Sequence, residues 1–298
     1  MFRAREGHGS LQGGLTPDTP DEARRQVREL KAANVDAVKL VHTDLRYVTN
    51  QPRPLLKPEV LKAIVDEAHK LGLKAYVHAP VLEHAKEALR AGVDGLVHAV
   101  ISDPVDDEFI RLMKERKAAY IATHAIFEAA GDIGAWARRT VAFDERRLIA
   151  KEIYDAGLSP STVKRWEEKW NNVAYAKNRF PVMRANLKSL WDAGILVVAG
   201  SDTGNSGAGT LLGLSSQLEL VLLVEAGLTP HQAIQAATVN AARLVGRERD
   251  FGTVEVGKLA DLVLLDADPL SDIKNVRQIY RIVKGGNVYE QSELLRAA

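Results

Sequence analysis

Lys74-Ala75-Tyr76-Val77-His78-Ala79 and Gly95-Leu96-Val97-His98-Ala99-Val100 are two short apolar runs, each carrying a histidine near its end, with a segment of helical periodicity between them. Runs too short for a helix, alternating with amphipathic stretches, are the pattern of parallel βα units. The alternation extends outward in both directions, and strands are expected at Asp36 to Val41, Lys74 to Ala79, Gly95 to Val100, Ala119 to Ala125 and Gly194 to Ser201. Glycines close the intervening helices, as in Leu71-Gly72-Leu73 and Ala91-Gly92-Val93, because a left-handed residue ends a helix there at no steric cost. Thr19-Pro20-Asp21-Glu22 opens the first helix with a capping-box pattern and proline at the first helical position.

A long Trp-rich helical stretch runs from about Pro160 to Trp191, and its rings are expected to serve packing, given the apolar area they bury. Helical patterns follow at Leu211 to Ala226 and Thr229 to Val245. The texture then changes to short strands joined by Gly, Pro and Asp turns, over Gly252 to Lys258, Ala260 to Asp266 and Gln278 to Tyr289. The expected organisation is an α/β chain: a TIM-barrel-like domain over residues 1–247, and a small β-sandwich-like appendage over 248–298.

The 298 residues carry 40 basic and 39 acidic side chains, a formal net charge of +1. Such a balance has no electrostatic footprint for nucleic acid or an anionic membrane surface. No apolar run approaches the ~20 residues of a membrane-spanning helix, and the first thirty residues lack a signal peptide's apolar core. The cytoplasm is the expected compartment. The absence of cysteine excludes disulfides, iron–sulfur clusters and a thiol nucleophile.

In a parallel barrel, residues at the carboxyl ends of strands face the mouth. Lys39, His78, His98 and Asp202 each sit near or just after the end of a different expected strand. Either histidine alone is more often a hydrogen-bonded buried imidazole than a ligand. Lys39 does not pass so easily, because an ammonium in an apolar strand is costly to bury unless it is paired or neutralised.

Val38-Lys39-Leu40, Tyr76-Val77-His78-Ala79, Val97-His98-Ala99 and Ala199-Gly200-Ser201-Asp202-Thr203-Gly204 resemble metal-site strands of the amidohydrolase superfamily, in order and at fitting spacings. The later segments agree: Ala226-Gly227-Leu228-Thr229-Pro230, Ala236-Ala237-Thr238-Val239-Asn240 and Gly257-Lys258-Leu259-Ala260-Asp261 are similar to the endings of imidazolonepropionase-like and Xaa-Pro dipeptidase-like members. The similarity runs from about Thr16 to Tyr289. It implies a distorted TIM barrel holding divalent metal, most often zinc, that activates water to cleave a C–N bond in an amide, peptide or lactam. Lys39 would become a CO2-derived carbamate, an oxygen ligand able to bridge two metals, His78 and His98 would bind one of them, and Asp202 would bind the other and act as general base. Neutral imidazoles and carboxylate-like oxygens suit zinc.

The pattern also departs from the family. Its members carry a His-x-His pair on the first barrel strand, and none of His8, His42, His69, His78, His84, His98, His124 or His231 forms one. The five expected strands therefore correspond to strands four to eight, leaving three ligands for one metal and too few for a second. A partial barrel exposes sheet edges, so a homo-oligomer is expected. His124 is a candidate substrate-binding residue, although a hydrogen-bonded rim histidine is the commoner reading of such a position. His42, three positions past Lys39, should face away from it by strand alternation, and His69, His84 and His231 read as solvated. Gln217 stands where relatives often have histidine, and Gly204 to Gly213 lacks the spacing of a phosphate loop. Two functions follow: a metal-dependent hydrolase of a small molecule, or a catalytically inactive remnant or binding subunit.

Overall fold

The computed structural model describes residues 1–7, 14–46, 52–144, 149–169, 178–203 and 209–292. They form two compact units, Met1–Ala122 with Asn178–Leu196, and Thr123–Lys177 with Val197–Ala298.

In the first unit, β1 (Ala37–Val41), β2 (Lys74–His78), β3 (Gly95–Val97) and β4 (Ala119–Ile121) lie parallel and adjacent in chain order. Helices α1 (Pro20–Ala32), α2 (Pro58–Lys70), α3 (Leu82–Ala91) and α4 (Asp107–Arg116) follow the expected alternation. Thr19 caps α1 by accepting from the Glu22 N–H, but the Glu22 carboxylate reaches the Asp18 N–H rather than returning to Thr19, so only half of the box forms. Along β1 and β2, Val38, Leu40, Ala75 and Val77 are buried while Lys39, Tyr76 and His78 are half-buried. This period of two gives the sheet one dry face, where each buried Val or Leu contributes about 1.5–3 kcal/mol. The other face is more polar. Gly95 serves that polar face, since a Cβ there would stand 3.0 Å from the Tyr76 ring and 3.1 Å from the Ala119 carbonyl.

The outer edge of β1 is partly covered by the chain itself. Phe2, fully buried, donates its N–H to the Lys39 carbonyl and accepts from the Val41 N–H, both at 2.8 Å. One residue thus extends the sheet where an open edge was expected.

The second unit begins with α5 (His124–Gly131), α6 (Ile133–Phe143), α7 (Lys151–Leu158) and α8 (Pro160–Lys169). Of the stretch from Pro160 to Trp191, α8 is one helix and α9 (Phe180–Asp192), in the first unit, another; Trp170 lies outside the described residues. After β5 (Val197–Val198) come α10 (Leu214–Glu225), α11 (Pro230–Ala237) and α12 (Val239–Leu244). The last two divide one expected helix at Thr238, whose φ of −118° and ψ of −91° are not helical. The core gathers Ala125, Ala129, Ile133, Trp136, Leu211, Leu214, Leu218 and Leu222, with Trp166 packed against it, so the packing role expected of that ring holds.

The segment ends in an antiparallel sheet of β6 (Leu262–Leu265), β7 (Ile279–Lys284) and β8 (Asn287–Glu290). None of the residues in these strands is buried, and Val263, Tyr280 and Val288 are exposed. The run Gly252 to Lys258 is not a strand. Positive φ at Gly252 and Gly257 turns it, and Lys258 closes the turn onto the Glu248 carbonyl at 2.7 Å. The strand ends also differ from expectation: residues 98–100 leave the sheet at a left-handed His98, and residues 124–125 begin α5.

Candidate functional site

Register fixes which side chains share the polar face of the first unit. Lys39 pairs with Tyr76 and Val41 with His78 across β1 and β2, and His78 pairs with Val97 across β2 and β3. Residues in register on parallel neighbours point the same way, so Lys39 and His78 share a face, diagonally placed. His98 follows Val97 and by alternation would point to the opposite face. Its backbone has φ +80°, an uncommon conformation for a residue with a Cβ. The imidazoles of His78 and His98 meet edge to face, centroids 4.5 Å apart and planes at 71°.

The segment after His98 is held at several points. The His98 N–H donates to the Ile121 carbonyl, and the Val100 N–H to the buried Tyr120 hydroxyl oxygen. The Ile101 N–H donates to the Pro80 carbonyl and the Leu82 N–H to the Ser102 hydroxyl, tying the segment after β3 to the one after β2. Among the described residues no three His, Asp or Glu side chains are grouped to hold a cation. Lys39 is a basic residue on the same face as His78.

His42 lies on the dry, helix-facing side, where its Nε2 pairs with Glu87 at 2.8 Å. His84 does not read as the sequence suggested. It is buried on the inner face of α3, edge to face with His42 and 3.8 Å from the Asp44 carboxylate. Helical periodicity among Lys and Glu neighbours could not reveal which face of α3 turns inward. Burial is the larger influence on both imidazoles and lowers their pKa, against the pull of Glu87 on His42 and Asp44 on His84. His69 is exposed and pairs with Asp94 at 2.7 Å, His231 is exposed, and His8 lies outside the described residues.

Asp202 and His124 belong to the second unit. Asp202 is exposed, with φ +50°. Its carbonyl accepts from the Thr210 hydroxyl at 3.4 Å, and the flanking Ser201 lies within hydrogen-bond reach of Thr203 and Ser216. His124 is fully buried at the start of α5. Its N–H and that of Ala125 donate to the two carboxyl oxygens of Glu219 at 3.0 and 2.8 Å. Burial pushes the Glu219 carboxyl up to about 8, assisted by Glu128 and opposed by those two N–H groups. Gln217 accepts from Arg277, which also pairs with the buried Asp144. Residues 204–208 of the glycine-rich stretch lie outside the described residues.

Sequence reasoning missed Tyr76 beside Lys39, and Glu219. A carboxyl inside the apolar run Leu218 to Leu223 was the available signal for the latter.

The amidohydrolase family model matches residues 5–289. Among curated proteins, the chain is 27% identical to ochratoxinase of Aspergillus niger over 97% of its own length and 54% of that protein, and 32% identical to imidazolonepropionase of Shouchella clausii over 37% of its length and 25% of that protein. Among solved structures, A. niger ochratoxinase superposes with a TM-score of 0.67 at 25% identity, covering 93% of this chain and 55% of that one. A Xaa-Pro dipeptidase superposes with a TM-score of 0.70 at 24% identity, over 97% and 66%, which speaks for the fold alone. The chain spans about half the length of ochratoxinase. A match over nearly the whole sequence, on a parallel βα sheet of this order, makes the chain a member of the amidohydrolase family.

Proposed function

We propose that the chain is the metal-binding part of a hydrolase that cleaves a C–N bond of a small molecule. The observation that carries the reading is the His78–His98 pair. Two imidazoles converge at the carboxyl ends of neighbouring parallel strands, one of them through an unfavourable backbone conformation, with Lys39 on the same face. The donor set suits a cation of zinc type, with His78, His98 and a carbamate formed on Lys39 by CO2 as its ligands. When bound, the metal supplies Lewis-acid polarisation. Asp202 is assigned as general base. It takes the proton of the water that adds to the carbonyl carbon and delivers it to the nitrogen as the C–N bond breaks. His124 is assigned to substrate.

A second reading, a binding subunit without turnover, is favoured by the same ligand shortage: no three His, Asp or Glu side chains group together among the described residues. Zinc content per chain, intact mass under carbamate-preserving conditions, and hydrolysis of dipeptides and lactams by wild type and Asp202→Asn separate the two. Zinc, a carbamate mass and turnover lost in Asp202→Asn support the hydrolase. An unmodified Lys39 with no zinc supports the binding subunit. The sheet of β6 to β8, exposed or half-buried throughout, supports a homo-oligomer in either case, with light scattering as its test.

A further inference from the structure

Asn186, on α9 in the first unit, is 2% exposed and spends its whole amide on one loop. Its Nδ2 donates to the Val100 carbonyl at 3.0 Å and to the Asp103 carbonyl at 2.9 Å, while its Oδ1 accepts from the Val105 N–H at 2.8 Å. That loop begins at His98. Both backbone groups of Val100 are thereby engaged, the N–H by Tyr120 and the carbonyl by Asn186, and the His98 N–H is held by Ile121. A left-handed non-glycine residue is strained and persists only where its surroundings over-determine it. Ile121 holds His98 from before, and Tyr120 and Asn186 from after.

We propose that Asn186 is a positioning residue for the candidate metal pair: by fixing the loop from Val100 to Val105, it keeps His98 in the conformation that turns its imidazole toward His78. This rests on the reading of His78 and His98 as ligands. Through Ile101 and Ser102 the same loop is also bonded to Pro80 and Leu82, just past His78, so the loop that Asn186 fixes is tied to the segments after both histidines. The chemistry demands an amide. A carboxylate would keep the bond to Val105 but set an oxygen against two carbonyls, and a leucine would leave three polar groups unmet.

The test compares wild type, Asn186→Asp, the milder Asn186→Ser, and Thr229→Ala as a control that loses a helix cap in the second unit. Two readouts are taken: the nuclear Overhauser contact between the His78 and His98 rings in metal-free protein, and Co2+ affinity by chelator competition. Both Asn186 variants should lose the ring contact and bind Co2+ at least ~10-fold more weakly, the scale of outer-sphere effects on metal sites. Thr229→Ala should keep both. Should Asn186→Asp not fold, Asn186→Ser decides alone. An intact ring contact in a folded Asn186 variant overturns the proposal. Wild type that shows the contact but takes up no Co2+ overturns the metal reading and leaves the positioning role to be judged on the rings.

Discussion

His78 and His98 touch, ring edge to ring face, although His98 falls on the wrong phase of its strand to do so. His78 is in register with Val97, and only the left-handed backbone one residue later brings the second imidazole across. Contact between these rings is therefore built in, and removal of any one candidate ligand should abolish tight metal binding. Purified without chelator, wild type should carry about one zinc per chain, the stoichiometry of a three-ligand site. His78→Ala, His98→Ala and Lys39→Ala should carry essentially none by elemental analysis.

Tyr120→Phe deletes the oxygen that accepts from the Val100 N–H and leaves that donor buried. Urea unfolding should show a loss of about 1–3 kcal/mol, the cost of an unmet buried donor. An unchanged midpoint would mean that water reaches Val100.

The buried pair His42 and His84 should make the protein acid-sensitive. Burial depresses both pKa values below the ordinary 6.5, helped at His84 by Arg46 and opposed by Glu87 and Asp44. The unfolded chain then binds more protons, so stability is complete above pH 6.5 and falls as acid approaches the folded pKa values. Replacing both residues by glutamine should flatten the dependence of the urea midpoint on pH below 6.5.

Glu219 acts in the opposite sense. Its folded pKa of about 8 stands above the ordinary 4.5 because the carboxyl is buried, so the folded state holds the extra proton between those values. Its contribution is complete below pH 4.5 and is lost as the pH rises through 8. Glu219→Gln should remove this alkaline decline. A decline of equal slope in the variant would assign the titration elsewhere.

Phe2→Ala should cost about 3–5 kcal/mol, the range for deleting a buried phenyl group. It should also raise light scattering, because the edge of β1 loses part of its cover.

The alternation of short apolar runs with amphipathic segments was enough to place β1 to β5, since period two and period 3.6 leave different traces in sequence. It overran the strands at His98 and His124. Each is followed by residues as apolar as a strand's, and what ends the strand is a backbone turn fixed by distant partners: Tyr120 and Asn186 in one case, Glu219 in the other. His78 and His98 were legible as a pair from their matching places in successive βα units. The burial of His84 was not, because an α-helix carrying Lys and Glu on several faces does not declare which one packs. The role of Asn186 was invisible for the same reason, its partners lying more than eighty residues away in the chain.

A programme that selected this chain for heat resistance alone would be drawn to position 98. Glycine adopts φ +80° freely, and His98→Gly would relieve the backbone there at the expense of the imidazole. Thermostability and ligand chemistry pull that position in opposite directions, a trade-off of the kind that confines stabilising substitutions to sites away from function.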